Sequence, residues 1–424
     1  MQSTTGTALA FAIYAGLMAF VVYSCMYGFR KPFAAADYAA WDFGDFSYKV
    51  LAVCAQAGGY LCSKFLGIRV IAGLRPERRL RLILTLTASG WVALLFFAIV
   101  PAPYNLVFMF LNGLPLGLIW GIVFSYIEGR MSTEIMGMLL GTSFVLASGV
   151  TKFAGKILMT DFGISEAWMP FVAGAIFFLP LAICAILLNA VPAPSAEEVR
   201  VRHARLPMDK KNRRDFLRIF GAAILPAVCA QMLLVILREV RDCFANEIWV
   251  ETGYSHTPDV FALSEIGVTL ALLVMSVAIF SVKMKNTHRA FSIAHWMVIA
   301  GFALTAIMTW FFMNNWLSPF AWIVASGVAL YAAYLLLICV YFERFLTAFH
   351  VRANVGFLVY LGDSGGYLAA AGVIVAKAFF LFSYGWTDFL KISCILIGIV
   401  GAGLMSLSLW LFRGLYQSQG SKSS

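Results

Sequence analysis

An arginine and a lysine stand side by side at positions 30 and 31, directly behind an apolar run from Ala8 to Phe29. More basic residues interrupt later apolar runs: Lys64 in GGYLCSKFLG, Lys152 and Lys156 one helical turn apart, Arg238 and Arg241 in LREVRDCF, and Lys377. Acidic residues do the same, with Glu239 and Asp242 in that last motif, Glu265 farther on, and Asp363 in YLGDSGGYLAA. A charge among residues suited to lipid is costly and must face a cavity or a partner, so each is a candidate for function. Guanidinium and ammonium groups hold anions, and the guanidinium fork matches phosphate with charge-assisted hydrogen bonds. Intramembrane carboxylates carry protons or neutralise cations. Lys156 and Lys377 lie near the ends of their runs, where reaching the interface is the simpler reading. Lys31, one residue round a helix from Arg30, is read as an interface marker. Arg238 and Asp242, four apart, either neutralise one another or serve a substrate.

With 62% hydrophobic and 12% charged residues, the chain lacks the polar surface of a water-soluble globule. Apolar windows of about 20 residues recur, each long enough to cross a hydrocarbon core of roughly 30 Å as a helix. Roughly twelve such windows are expected, beginning near residues 8, 48, 80, 104, 135, 167, 219, 259, 290, 317, 353 and 387. MQSTTGT carries no charge and the run behind it is long, so the first segment reads as a retained helix. The charged stretch 192–217 is a linker between a bundle at 1–191 and a second at 218–424. Basic loops at RPERRLR, EGRMSTE, the linker, KMKNTHR, HVR and the tail hold well over half of the 31 Lys and Arg residues. They place both termini in the cytoplasm. The same loops, facing anionic lipid, account for the net charge of +10 without nucleic acid. The eight cysteines and five histidines are scattered without metal spacing, and no HExxH, GxSxG or GxxxxGK[ST] occurs. No enzyme activity, metal or cofactor is therefore expected. Gly113, Gly117 and Gly121 in GLPLGLIWG form a face that a second helix can approach closely.

These blocks resemble the organophosphate:phosphate antiporters of the major facilitator superfamily. The likeness is carried by RKPFAAA, by DFSYKVLAVCAQAGGYLCSKFLG with its Lys64, by ILREV with its Arg238, and by the stretch from Gly327 to Ala378. YGFRKPF, FLNGLPLGLIWG, YIEGR and RDCFANEIW also resemble an uncharacterised bacterial branch of that superfamily. In contrast to the superfamily pattern, GIRVIAGLRPERR has no Asp ahead of its basic cluster. The resemblance implies an all-α fold of twelve transmembrane helices in two pseudo-symmetric six-helix bundles that rock about a substrate. Arg30 and Arg238 would clamp the anion, with Lys64 nearby.

The expectation is a secondary transporter in a bacterial inner membrane, working as a monomer by alternating access on a small anionic metabolite, phosphorylated or not. Tyr27, Arg30, Lys64, Lys152, Arg238 and Arg241 are the substrate-binding candidates. Asp363, then Glu265, with Glu239 and Asp242, are the coupling or ion-pair candidates. Antiport against phosphate needs no proton site, whereas proton symport does. The alternative is a membrane receptor for a similar anion; the short stretch after Arg413 favours transport.

Overall fold

The structure is a computed structural model that describes residues 2–42, 47–72, 74–127, 133–192, 210–255, 257–281, 286–349, 355–380 and 384–420. Most of the expected linker, parts of the loops EGRMSTE and KMKNTHR, and all of HVR lie outside them. The helices are α1 (Gln2–Tyr27), α2 (Tyr48–Ala72), α3 (Arg79–Ile99), α4 (Leu106–Ile127), α5 (Thr133–Thr160), α6 (Met169–Asn189) and α7 (Lys210–Cys243). There follow a short α8 (Ala245–Glu251), α9 (Asp259–Ser281), α10 (Thr287–Met313) and α11 (Pro319–Leu335). A π-turn at Leu336–Tyr341 leads into α12 (Phe342–Ala348), and α13 (Val355–Phe380) and α14 (Trp386–Gly420) complete the chain. Strands are absent among the described residues.

Ten of these segments are long and apolar enough to cross a membrane, with Pro319–Ala348 counted as one. The two remaining expected spans correspond to α1, which contributes the shorter apolar helix Ile13–Tyr27 among the described residues, and α2, which carries Lys49, Lys64 and Arg69. Helices dominate because the interior of a bilayer offers no water, and only a helix satisfies its own backbone polar groups along a single span.

The helices group into two compact units. The first unit holds Met1–Arg202, Val240–Val277 and Ala371–Thr387, which adds the C-terminal end of α7, α8, most of α9 and the end of α13 to α1–α6. The second holds His203–Glu239, Ala278–Ala370 and Asp388–Ser424.

In the first unit α2 and α4 lie in close contact, as the glycine spacing predicts. A Cβ at Gly113 would run into the backbone of Gln56 and Tyr60, and one at Gly117 into the Ser63 side chain. Gly59 of α2 in turn meets the Phe110 carbonyl of α4. In lipid there is no hydrophobic drive between helices, so such backbone contact is what selects the pair. In the second unit, Gly362, Gly365 and Gly366 of α13 abut Gln231, Met232 and Val235 of α7 in the same way.

Gly113→Leu should lower both folded yield and melting temperature, by the upper end of the roughly 1–3 kcal/mol typical of overpacking, because backbone cannot give way. Gly58→Ala, where a Cβ would meet Phe110 at an ordinary 3.7 Å, should leave the thermal melt of the purified protein unchanged.

Candidate functional site

The continuous helix expected through Arg30 and Lys31 ends at Tyr27 instead. The chain turns there, with the amides of Arg30 and Lys31 both donating to the Tyr27 carbonyl at 2.9 Å, and then enters a 3-10 turn at Pro32–Ala35. Carbonyls past a helix end need new donors. Gln56 Nε2 of α2 donates to the Arg30 carbonyl at 3.0 Å, and Asn112 Nδ2 of α4 donates to that of Phe29 at 3.0 Å. Gln56 also donates to Asn112 Oδ1 at 2.8 Å. Two neutral amides thus fix the turn. Both charges point inward, with Arg30 3% and Lys31 1% exposed.

Arg30 Cζ lies 4.0 Å from the Tyr60 ring centre and 5.6 Å from that of Tyr27. Lys64 Nζ, one turn beyond Tyr60 on α2, sits 5.2 Å from the same Tyr60 ring. Arg30 and Lys64 are therefore brought to one ring, Tyr60, and Arg30 also lies by Tyr27; cations are attracted by the ring quadrupole.

Lys31 belongs to a different cluster, and its reading as an interface marker is corrected. It pairs with Asp242 at the end of α7. Asp242 also accepts from Ser148 and, at 2.8 Å, from Lys152 of α5. The Lys152 ammonium donates as well to the Asp242 carbonyl at 3.0 Å. Its neighbour Arg241 pairs with Glu265 of α9 at 2.7 Å. Lys49 pairs with Glu247 of α8 at 2.7 Å and donates to the Ala34 carbonyl. Lys377 is buried at 6% exposure with its ammonium 4.3 Å from the Trp386 ring centre, so its expected reach to the interface is also corrected. Lys156 donates to Asn246 at 3.0 Å.

The second unit holds Arg238, Glu239 and Asp363 in one cluster. Arg238 Nη2 donates to the Tyr367 hydroxyl at 2.8 Å and to Glu239 Oε1 at 3.1 Å. Its guanidinium carbon lies 4.8 Å from the Tyr334 ring centre and 5.3 Å from that of Tyr367. Asp363 Oδ1 accepts from Tyr334 at 2.9 Å and from Gln231 at 3.0 Å. Asp363 and Tyr367 share one face of α13, and Gln231 and Arg238 one face of α7, so the glycine contacts between these helices assemble the cluster. Asp242 is held by lysines, and Arg238 by tyrosine and Glu239.

Sequence reasoning missed Lys49, Glu247, Gln56, Asn112 and Gln231. The residue types of the amides were a signal, since an amide inside an apolar run needs hydrogen-bond partners as a charge does. Among the described residues, no cluster of His, Cys, Asp and Glu could hold a metal ion.

A shallow cavity of about 280 Å³ in the first unit is lined by Asp37, Lys156, Thr160, Glu166 and Asn246 among others. Burial, with the Asp37 carboxyl beside it, raises the Glu166 carboxyl above its ordinary value of 4.5, although backbone N–H groups of Tyr38 and Asp37 oppose the shift.

A model of a family described as of unknown function, DUF5690, matches residues 32–414. No curated protein sequence matches the chain. Solved structures do resemble it. The nucleoside transporter NupG is 14% identical with a TM-score of 0.60, covering 94% of this chain and 98% of its own. A bacterial homologue of the human lysosomal transporter Spinster, inward-facing and unoccupied, is 13% identical with a TM-score of 0.58, covering 96% and 98%. The human organic anion transporter MFSD10 is 12% identical with a TM-score of 0.56, covering 95% and 98%. These likenesses establish the fold as that of the major facilitator superfamily, in a multi-pass membrane protein.

Asp242→Asn should destabilise the protein by roughly 3–5 kcal/mol in thermal or denaturant melts, because it strands two buried ammonium groups. Lys31→Met should cost distinctly less, since Ser148 and Lys152 still hold Asp242; an equal loss would show that the shared-carboxylate account is wrong. Glu166 binds its proton more tightly folded than unfolded. Its contribution is therefore present below the ordinary carboxylate value and is lost as pH rises through the raised folded value. Glu166→Gln should flatten the fall in melting temperature across that window.

Proposed function

We propose that the chain, which belongs to the DUF5690 family of unknown function, is a secondary transporter that moves a small anionic metabolite by alternating access. The observation carrying this reading is that each unit presents a buried arginine laid against tyrosine rings, Arg30 on Tyr60 and Tyr27, and Arg238 on Tyr334 and Tyr367. A ring face orients the guanidinium plane while leaving its positive charge in place. A guanidinium so held in low dielectric suits the two-pronged capture of a phosphate or carboxylate. Lys64, beside Tyr60, adds a third cation to the same set. The similar folds named above include proteins described as carrying nucleosides and organic anions, which supports transport as the activity. The basic loops put both termini in the cytoplasm of a bacterial inner membrane, and the protein works as a monomer. Phosphorylated metabolites are the first substrate class to test, with phosphate or protons as the coupling ion.

Binding only to the native state raises its stability, by roughly 2.7 kcal/mol at a hundredfold excess over Kd. In thermal melts of the purified protein, phosphorylated or carboxylated metabolites should raise the melting temperature where neutral ones do not. Arg30→Ala should erase that rise without loss of folded yield, because Gln56 and Asn112 hold the turn through its backbone. Arg238→Lys keeps the charge but not the fork and should retain only part of the rise. Stabilisation by neutral or cationic compounds alone would overturn the anion reading.

A further inference from the structure

Glu265 differs from the other buried carboxylates. Its Oε1 is taken by Arg241 at 2.7 Å, but its Oε2 is buried and accepts no hydrogen bond. Thr269, one turn farther along the same face of α9, is 4% exposed and its hydroxyl is also without a partner. Buried polar atoms are nearly always satisfied, so an idle acceptor and an idle hydroxyl on one helix face call for an explanation. Asp242, by contrast, receives Lys31, Ser148 and Lys152, and the Oδ1 of Asp363 receives two donors.

Glu265 packs against α7 and α5. From α7 it faces Arg241, while the adjacent Asp242 is committed to the two lysines. From α5 it meets Gly149, where a Cβ would lie 2.7 Å from the glutamate side chain. Lys152, three residues on, is turned to Asp242. One arginine and one carboxylate thus form a pair with a bare oxygen in a closely packed setting.

We infer that Glu265 is where the coupling proton binds, which makes the transporter a proton–anion symporter. This rests on the anion reading above. A proton from the aqueous phase adds to Oε2, forming an O–H bond and turning the bare acceptor into a donor. No other covalent bond changes. The Arg241–Glu265 pair then passes from neutral to a single positive charge, and Arg241, its counter-ion neutralised, attracts the incoming anion. Proton and anion enter together because each lowers the cost of the other. Tight packing around Oε2 suits a proton, which needs no cavity.

The test is an infrared titration of the purified full chain without ligand, following the carbonyl stretch of a protonated carboxylic acid as pH is lowered. The expected result is a band that is lost in Glu265→Gln and kept in Asp363→Asn. A band that survives Glu265→Gln, or no band in the wild type, overturns the inference. Should Glu265→Gln fail to fold, Glu265→Asp decides: a shifted band frequency supports the site and an unchanged one overturns it. Because no anion is present, the outcome is separable from the metabolite screen. A Glu265 band with no stabilising anion keeps the proton site and removes the anion reading, whereas stabilising anions with no band leave exchange against phosphate.

Discussion

One carboxylate sets the arrangement of the first unit. Asp242, at the end of α7, receives Lys31 from the turn after α1 and both Ser148 and Lys152 from α5. Apolar packing cannot specify these neighbours, since lipid tails are as apolar as the side chains. Ion chemistry can, because an unpaired charge at this depth costs several kcal/mol. Fixing Lys31 also constrains its neighbour Arg30, which lies against the Tyr60 ring. The adjacent Arg241–Glu265 and Lys49–Glu247 pairs extend the same logic to α9 and α8.

The helices were legible because their signal is length. Windows expected to open near 48 and 259 open at Tyr48 and Asp259, and the others fall within a few residues except where α1 and α7 begin earlier than their apolar cores. Pairings were less legible. Lys31 was misread because a continuing helix turns neighbouring side chains apart, whereas a helix ending at Tyr27 folds both inward. Lys49 and Glu247 escaped notice because each stands at the start of a helix, where a charge reads as interfacial, and 198 positions separate them. Lys377 was misread because its partner, Trp386, lies beyond a break in the helix. Arg30, Arg238 and Asp363 stood out because a deep charge in a hydrophobic window has a high prior for function. Of their tyrosine partners Tyr27 was a candidate, whereas Tyr60, Tyr334 and Tyr367 lacked such a flag, since tyrosine is ordinary in membrane helices.

The two arginine clusters differ in the company they keep. Arg30 shares the Tyr60 ring with another cation, Lys64. Arg238 is bonded to Glu239 and shares Tyr334 with Asp363, so its charge is balanced locally. Glycines govern how firmly each cluster is built, since Gly113 and Gly117 seat the helix carrying Tyr60 and Lys64, while Gly362 and Gly366 seat the one carrying Asp363 and Tyr367.

The amide clamp of Gln56 and Asn112 has a consequence for how such a protein can diversify. Because these amides grip the main chain at Phe29 and Arg30, the architecture of the turn is indifferent to the side chain at position 30. A lineage could exchange that side chain while the scaffold that presents it stays as it is. The side chain at this position and the fold around it are thereby placed under separate selection.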